Sequence, residues 1–140
     1  QGMEVMYHVT HLITPPQPAE DLGLTRKRYL GNDLVLILFL EEGVKIDPHK
    51  VFTSNMNHVF ILVSPMGLNF RIEVMNKPDV RPYPPSLPNH PVPPSDLKEI
   101  VLTKAINAQS SSIKYARGFQ NFTKCFRQNL LNTLASDLQI

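Results

Sequence analysis

At 140 residues the chain fits one domain with a single core, long enough to bury about two-thirds of the surface its unfolded form exposes. An apolar share of 42% against a charged share of 19% excludes a disordered chain, and a net charge of +2 excludes a bulk electrostatic grip on nucleic acid. A single cysteine, Cys125, excludes an internal disulfide and suits a reducing compartment, so a cytoplasmic location is expected. No apolar run reaches the roughly 18 residues needed to span a bilayer, and no secretory apolar region opens the chain.

Residues 3–10, "MEVMYHVT", alternate loosely with Val5, Tyr7 and Val9 on one face, and the pattern predicts a strand. Its abrupt start is what an excised piece of a longer protein would show. "PPQPAED" reads as a loop. The "LGLTRKRYL" that follows predicts a short helix, with Gly31 placed to end it in a left-handed cap. Arg26, Lys27 and Arg28 then fall in its last turn, where cations suit the negative end of the helix dipole.

From Asp33 to Leu40 the chain is rich in Leu, Val, Ile and Phe without alternation, which predicts a strand covered on both faces. "HVFILVSP" (58–65) has the same character. "GLNFRIEVMNK" (67–77) alternates, with Phe70, Ile72 and Val74 facing one way and Asn69, Arg71 and Glu73 the other. "SPMG" between the last two reads as a hairpin connection. A strand, a short helix and a buried strand at the front predict a βαβ-like crossover, right-handed if the strands are parallel.

Residues 78–94 hold eight of the chain's 13 prolines. Such a segment cannot join a sheet interior or a helix, so it predicts an extended surface loop acting as a stiff connector; docking to an SH3-type partner is the weaker reading. Ser95 then reads as an N-cap, with Asp96 and Glu99 in a favourable first turn. Leu97, Ile100, Val101, Ala105 and Ala108 form the apolar face of a helix. Gly118 is placed to break it before a second one carrying Phe119, Phe122, Phe126, Leu130 and Leu134. The expected fold is one α/β domain over 1–140, a mixed β-sheet flanked by helices, with the Pro-rich connector 78–94 and C-terminal helices at 95–138.

The search for self-sufficient chemistry comes back empty. His8 and His11 point to opposite faces and lack a Cys or acidic pair in range, while His49, His58 and His90 are scattered, so no metal site is expected. Cys125 sits in an apolar helical pattern and reads as packed rather than nucleophilic. Glu41 and Glu42 read as a solvated strand end. There is no phosphate loop, dinucleotide fingerprint or nucleophile elbow. What remains is Arg26, Lys27, Arg28 and Asn32. Gly-Asn-Asp is ordinary turn chemistry and basic residues often finish helices. Against that, an Asn between a helix end and a buried strand stands on a rigid pedestal, and its carboxamide offers a donor and an acceptor together. That pair of groups can hold a water in line with a phosphate, the task a GTPase assigns to its own Gln.

At these residues "RKRYLGNDLV" closely resembles the signature of the Rap/Ran-GAP family, the catalytic domains of Rap-, Ral- and Rheb-directed GTPase-activating proteins. "EVMYHVT" resembles the family's first recurring strand and "HVFILV" its next buried one. "KPDVRPYPPSLP" resembles its Pro-rich loop, "LTKAINA" (102–108) the helix after it, and Phe119, Arg127, Leu130 and Leu131 match the spacing of the last helix. The resemblance runs in one order from about residue 3 to the end. It implies an asparagine thumb, by motif position Asn32, inserted into a partner's nucleotide site to orient the attacking water and stabilise the transferring γ-phosphoryl. Arg28 matches an Arg beside the thumb that holds the helix or the partner, and Asp33 an acidic residue that fixes the turn. Arg26, Lys27, Tyr29 and Arg127 are the further thumb-supporting or partner-binding candidates. Tyr29 departs from the pattern, since the family commonly has His there.

The resemblance implies a small GTPase of the Ras superfamily as partner, Rap-, Ral- or Rheb-like, which brings its own GTP and Mg²⁺, and no cofactor of the chain's own. Nucleic acid and membrane spans are not expected. Family members usually carry further sheet and helix segments upstream, so a compact or truncated domain is expected here, its sheet edge exposed or completed by another subunit or a second copy. Three alternatives stand beside the thumb: an arginine finger at Arg26 or Arg28, a non-catalytic module that only binds a small GTPase or serves as a scaffold, and an enzyme with its own small substrate.

Overall fold

The structure, a computed structural model, describes residues 4–14, 21–116, 118–119, 128, 131–132 and 135. The first 11 of these contain a 3-10 turn at Thr10–Leu12 and no strand. The predicted strand at 3–10 is therefore corrected. Its alternating Val5, Tyr7 and Val9 remain 41%, 50% and 38% exposed, because no ladder is formed along them to turn one face inward.

Helix α1, Leu22–Asn32, starts on Asp21, whose carboxylate accepts from the Gly23 N–H at 2.7 Å. It does not stop at Gly31. The helix runs through Gly31 to Asn32, so the left-handed glycine cap expected there is absent, and Arg26, Lys27 and Arg28 lie in the middle of the helix rather than in its last turn. The reason lies outside the segment: carbonyls at the helix end find partners elsewhere in the fold.

Strand β1, Val35–Phe39, leads through the one-turn helix α2, Pro48–Val51, to strand β2, Val59–Met66, and then to strand β3, Asn69–Asn76. The sheet order is β1-β2-β3, with β1 parallel to β2 and β2 antiparallel to β3, a mixed sheet as expected. The parallel pair is β1 with β2, so the crossover includes α2 and not the segment 3–10. Gly67, at φ +62°, opens the two-residue loop to β3, a conformation that suits glycine and few others. Pro65 and Met66 lie within β2.

β2 is the strand most fully buried on both faces. Val59, Ile61 and Val63 enter one apolar cluster, while Phe60 and Leu62 enter another on the opposite face, as the two-residue period dictates. Full burial of each such side chain stabilises the fold by about 1.5–3 kcal/mol. β1 is also covered on both faces as expected, with Val35 and Ile37 against the first cluster and Leu36 and Leu38 in the second, but it is an edge of the sheet and its last residue, Phe39, is 72% exposed. β3 alternates as read from the sequence, with Ile72 buried and Arg71 and Glu73 exposed.

Helix α3, Pro94–Tyr115, lies on the first cluster through Val101 and Ala108, with Leu97, Ile100 and Ala105 packed beside them. Its N-cap is Pro93 instead of Ser95, whose hydroxyl bonds the neighbouring Asp96 carboxylate at 2.7 Å. Proline in the first turn is tolerated because its missing N–H would have been unpaired there. Of the predicted second C-terminal helix, Gly118, Phe119, Gln128, Leu131, Asn132 and Ala135 are described, each helical; Phe122, Phe126, Leu130 and Leu134 lie outside the described residues.

The Pro-rich segment is more than a surface connector. Val80 and Val92 are buried in the α3-side cluster, and Val92 forms a two-bond bridge to Phe70 on β3 (2.8 and 2.7 Å). Proline keeps the segment out of the ladder elsewhere, leaving its carbonyls to be met by polar residues of α3. Lys104 Nζ donates to Tyr83 O and Pro85 O, both at 2.8 Å, and lies 4.2 Å over the Tyr83 ring. Ser111 Oγ donates to Arg81 O at 2.8 Å and Asn107 Nδ2 to Pro84 O at 3.0 Å. Burial lowers the Lys104 pKa and pushes the Tyr83 hydroxyl up to about 12, an effect opposed by its bond to Asn76.

Candidate functional site

Asn32 is the last residue of α1 and is exposed, with no side-chain hydrogen bond among the described residues. Its neighbours are fixed. On the solvent side, the Asp33 carboxylate accepts from His8 Nδ1 at 2.8 and 3.0 Å, and the His8 ring tilts against Tyr29 at 4.8 Å between centroids. Asp33 thus ties the segment 4–9 to the helix end. On the inner side, Asn57 Nδ2 donates to Leu30 O and Asp33 O, both at 2.7 Å, and the Ser54 hydroxyl donates to Gly31 O. Leu30 inserts among Leu36, Phe60 and Leu62. The last carbonyls of a helix need partners from outside, and here side chains of the loop before β2 supply them.

The loop is itself anchored. His58 and Val59 N–H groups donate to Leu34 O at 2.9 and 3.1 Å, and Lys77 Nζ donates to Asn55 O at 2.7 Å. Asn57 stands two residues before the most buried strand and is 1% exposed. The pedestal under Asn32 is therefore the end of β2, reached through an amide side chain.

Of the other candidates, Lys27, Arg28 and Tyr29 are exposed on α1, and Arg28 lies four residues before Asn32, on the same face of the helix. Arg26 is half-buried, with its Nε shielded and unbonded among the described residues. Asp33 is half-buried against His8. Arg127 lies outside the described residues. The structure thus gathers Asn32, Asp33 and Tyr29 at one helix end, with Lys27 and Arg28 on the exposed part of the helix leading to it.

Sequence reasoning missed Asn57 and Ser54, and it weighed His8 only as a metal ligand. The one available signal for Asn57 is its place: a carboxamide directly before an apolar run belongs where a polar group must be satisfied at a strand's mouth. A groove of about 1300 Å³ opens beside Leu30 and Asp33 and runs along β1, lined by Leu36, Leu38, Leu97 and Ile106. Among the described residues, no group of three His, Cys, Asp or Glu is placed to hold a metal ion, and no helix is long and apolar enough to cross a membrane.

Chemically, the arrangement presents a carboxamide, with no side-chain hydrogen bond among the described residues, at a held helix end near the exposed cations Lys27 and Arg28. Comparisons with known proteins agree with the resemblance seen in the sequence. A GTPase-activating protein of Dictyostelium discoideum is 36% identical over 127 residues, covering 85% of this chain and 12% of that protein. Signal-induced proliferation-associated protein 1 of Mus musculus is 31% identical over 145 residues, covering 98% of the chain and 14% of that protein. The chain therefore spans a small part of the length of these relatives. The solved structure of the TSC2 GAP domain shares the fold, with a TM-score of 0.56 at 24% identity over 66% of this chain and 50% of that one. The Rap/ran-GAP family model matches residues 1–130, and the chain belongs to the Rap/ran-GAP family.

Proposed function

We propose that this chain is a GTPase-activating domain that stimulates GTP hydrolysis by a small GTPase of the Ras superfamily, Rap-, Ral- or Rheb-like, by inserting Asn32 in trans. The observation that carries the reading is an exposed carboxamide on a helix end whose flanking carbonyls are held from inside the fold. Family membership and the GTPase-activating protein among the relatives support it. The amide N–H₂ can donate to a γ-phosphoryl oxygen while the carbonyl accepts from the attacking water. GTP and Mg²⁺ are the partner's, and the domain needs no cofactor for this task.

GTPase activation reaches about 10⁵-fold, or about 7 kcal/mol of barrier. One hydrogen bond contributes about 1 kcal/mol. Asn32 therefore acts inside an interface that excludes water, with Lys27, Arg28 and Tyr29 contacting the partner around it. Two other readings have specific support: Arg28 is free to reach a phosphate as an arginine finger, and Tyr29 in place of the usual His suits a domain that binds without accelerating.

Single-turnover GTP hydrolysis by Rap, Ral and Rheb separates them. Asn32→Ala is expected to lower the maximal stimulated rate at least about 100-fold with half-saturation within about threefold, the pattern of a group acting in the transition state. Arg28→Ala is expected to weaken half-saturation and leave most of the maximal rate. The opposite pattern makes Arg28 the finger. A domain that accelerates none of them, and binds the GDP–aluminium-fluoride form no better than the GTP form, is a binding module.

A further inference from the structure

We infer that Asn57 is a positioning residue for Asn32, a splint that holds the thumb at the geometry the reaction needs; this rests on the proposed role of Asn32. Both Asn57 amide protons are used, one on the carbonyl two residues before Asn32 and one on the carbonyl immediately after it, each at 2.7 Å. Two carbonyls on the same side leave no doubt which end of the carboxamide faces them, because a flipped oxygen would meet two acceptors. The Ser54 hydroxyl takes one of the two carbonyls between them, that of Gly31. The chain on either side of Asn32 is thus bound at three carbonyls, while the Asn32 side chain stays free.

The Asn57 oxygen has no partner among the described residues although it is buried. A buried acceptor left unpaired is destabilising, because it gives up its water without a replacement. For stability alone, a residue that filled this space without an orphaned acceptor would serve better. The arrangement makes sense if the two donated bonds fix geometry. Apolar burial does little to fix α1: one side chain, Thr25, is buried and Leu30 packs on the apolar cluster, so its C-terminal end relies on Asn57, on Ser54 and on the His8 contacts with Asp33 and Tyr29. A helix so held would pivot at its C-terminal end once the splint is gone, and a displacement of about 1 Å at a catalytic group costs about 100-fold in rate.

The test uses the 140-residue chain and GTP-loaded Rap, with Asn57→Ala and the isosteric Asn57→Asp, which keeps the volume and removes both donors. Both are expected to lower the maximal stimulated rate about 10- to 100-fold while half-saturation moves within about threefold. In an Asn32→Ala background, Asn57→Ala is expected to cost no further rate, since it acts through Asn32. A second readout needs no GTPase: the backbone ¹⁵N heteronuclear NOE of Gly31 and Asn32 falls in Asn57→Ala while that of β2 is unchanged. Should Asn57→Ala fail to fold, Ser54→Ala carries both measurements, with a smaller change in the same direction. Unchanged NOE values at Asn32, or rate losses that add fully in the double variant, overturn the splint. If Asn32→Ala itself keeps the parent's stimulation, the thumb reading fails, and the NOE measurement still decides whether Asn57 holds the helix end.

Discussion

Helices α1 and α3 both belong to the same small fold and are attached to it by different means. α3 is 22 residues long and presses Val101 and Ala108 into the larger apolar cluster. α1 is 11 residues long, buries Thr25, and is fixed at its C-terminal end by Asn57, Ser54 and Leu30. Apolar contact is nondirectional and sums over area, so it secures a helix without specifying an end to the last ångström. Hydrogen bonds fix angle and distance while adding only about 0.5–1.5 kcal/mol each. The fold therefore places its larger apolar burial under α3, whose own hydrogen bonds go to the Pro-rich segment, and relies on directional bonds at the end of α1, where the candidate catalytic group stands.

The contrast can be broken first where it is strongest. Ile61→Ala, in the cluster beneath α3, is expected to lower global stability by about 2–5 kcal/mol, read as a urea midpoint shared by the sheet and α3. A transition in which α3 melts apart from the sheet would show that their burial is not shared. Asp21→Ala removes the cap of α1 and is expected to cost about 1 kcal/mol. That loss shows as faster amide exchange confined to the first turns of α1, with the global midpoint barely moved. Equal loss of protection in α3 would deny that α1 is an independently attached element.

The smallest effect is a pH dependence in the α3 clamp. Tyr83 ionises near 10.0 when unfolded and is pushed up to about 12 by burial in the fold. Between those values the folded state binds more protons, so stability is lost as pH rises from about 10 to about 12. Lys104 is shifted down by burial, so its contribution to stability rises with pH below its ordinary 10.5 and opposes Tyr83. Tyr83→Phe is expected to flatten the alkaline fall in urea midpoint. A variant that falls as steeply as the parent would place the titrating group elsewhere.

Local pattern made much of this readable. The runs around 35–39 and 59–66, the alternation of 69–76 and the apolar face through Leu97, Val101 and Ala108 all follow from side-chain periodicity, and all became the expected elements. The family signature singled out Asn32 as a candidate because a short motif is read directly from the order of residues. The segment 3–10 misled for a physical reason: alternation makes a strand only when another strand supplies the ladder, and the outer edge of β1 is not paired with it. The Pro-rich segment misled in the other direction. Proline forbids a continuous ladder but not one bridge at Val92 or burial of Val80.

The sequence by itself determined the strands and the apolar helix face, because these depend on side chains a few residues apart. Only the tertiary structure decided that α1 extends through Asn32, that Asn57 and Ser54 hold its end, and that His8 takes the Asp33 carboxylate. Those partners lie 23 to 27 residues away along the chain, and their hydrogen bonds need the tertiary fold to bring them together. No periodicity encodes such a meeting; the packing of distant segments creates it.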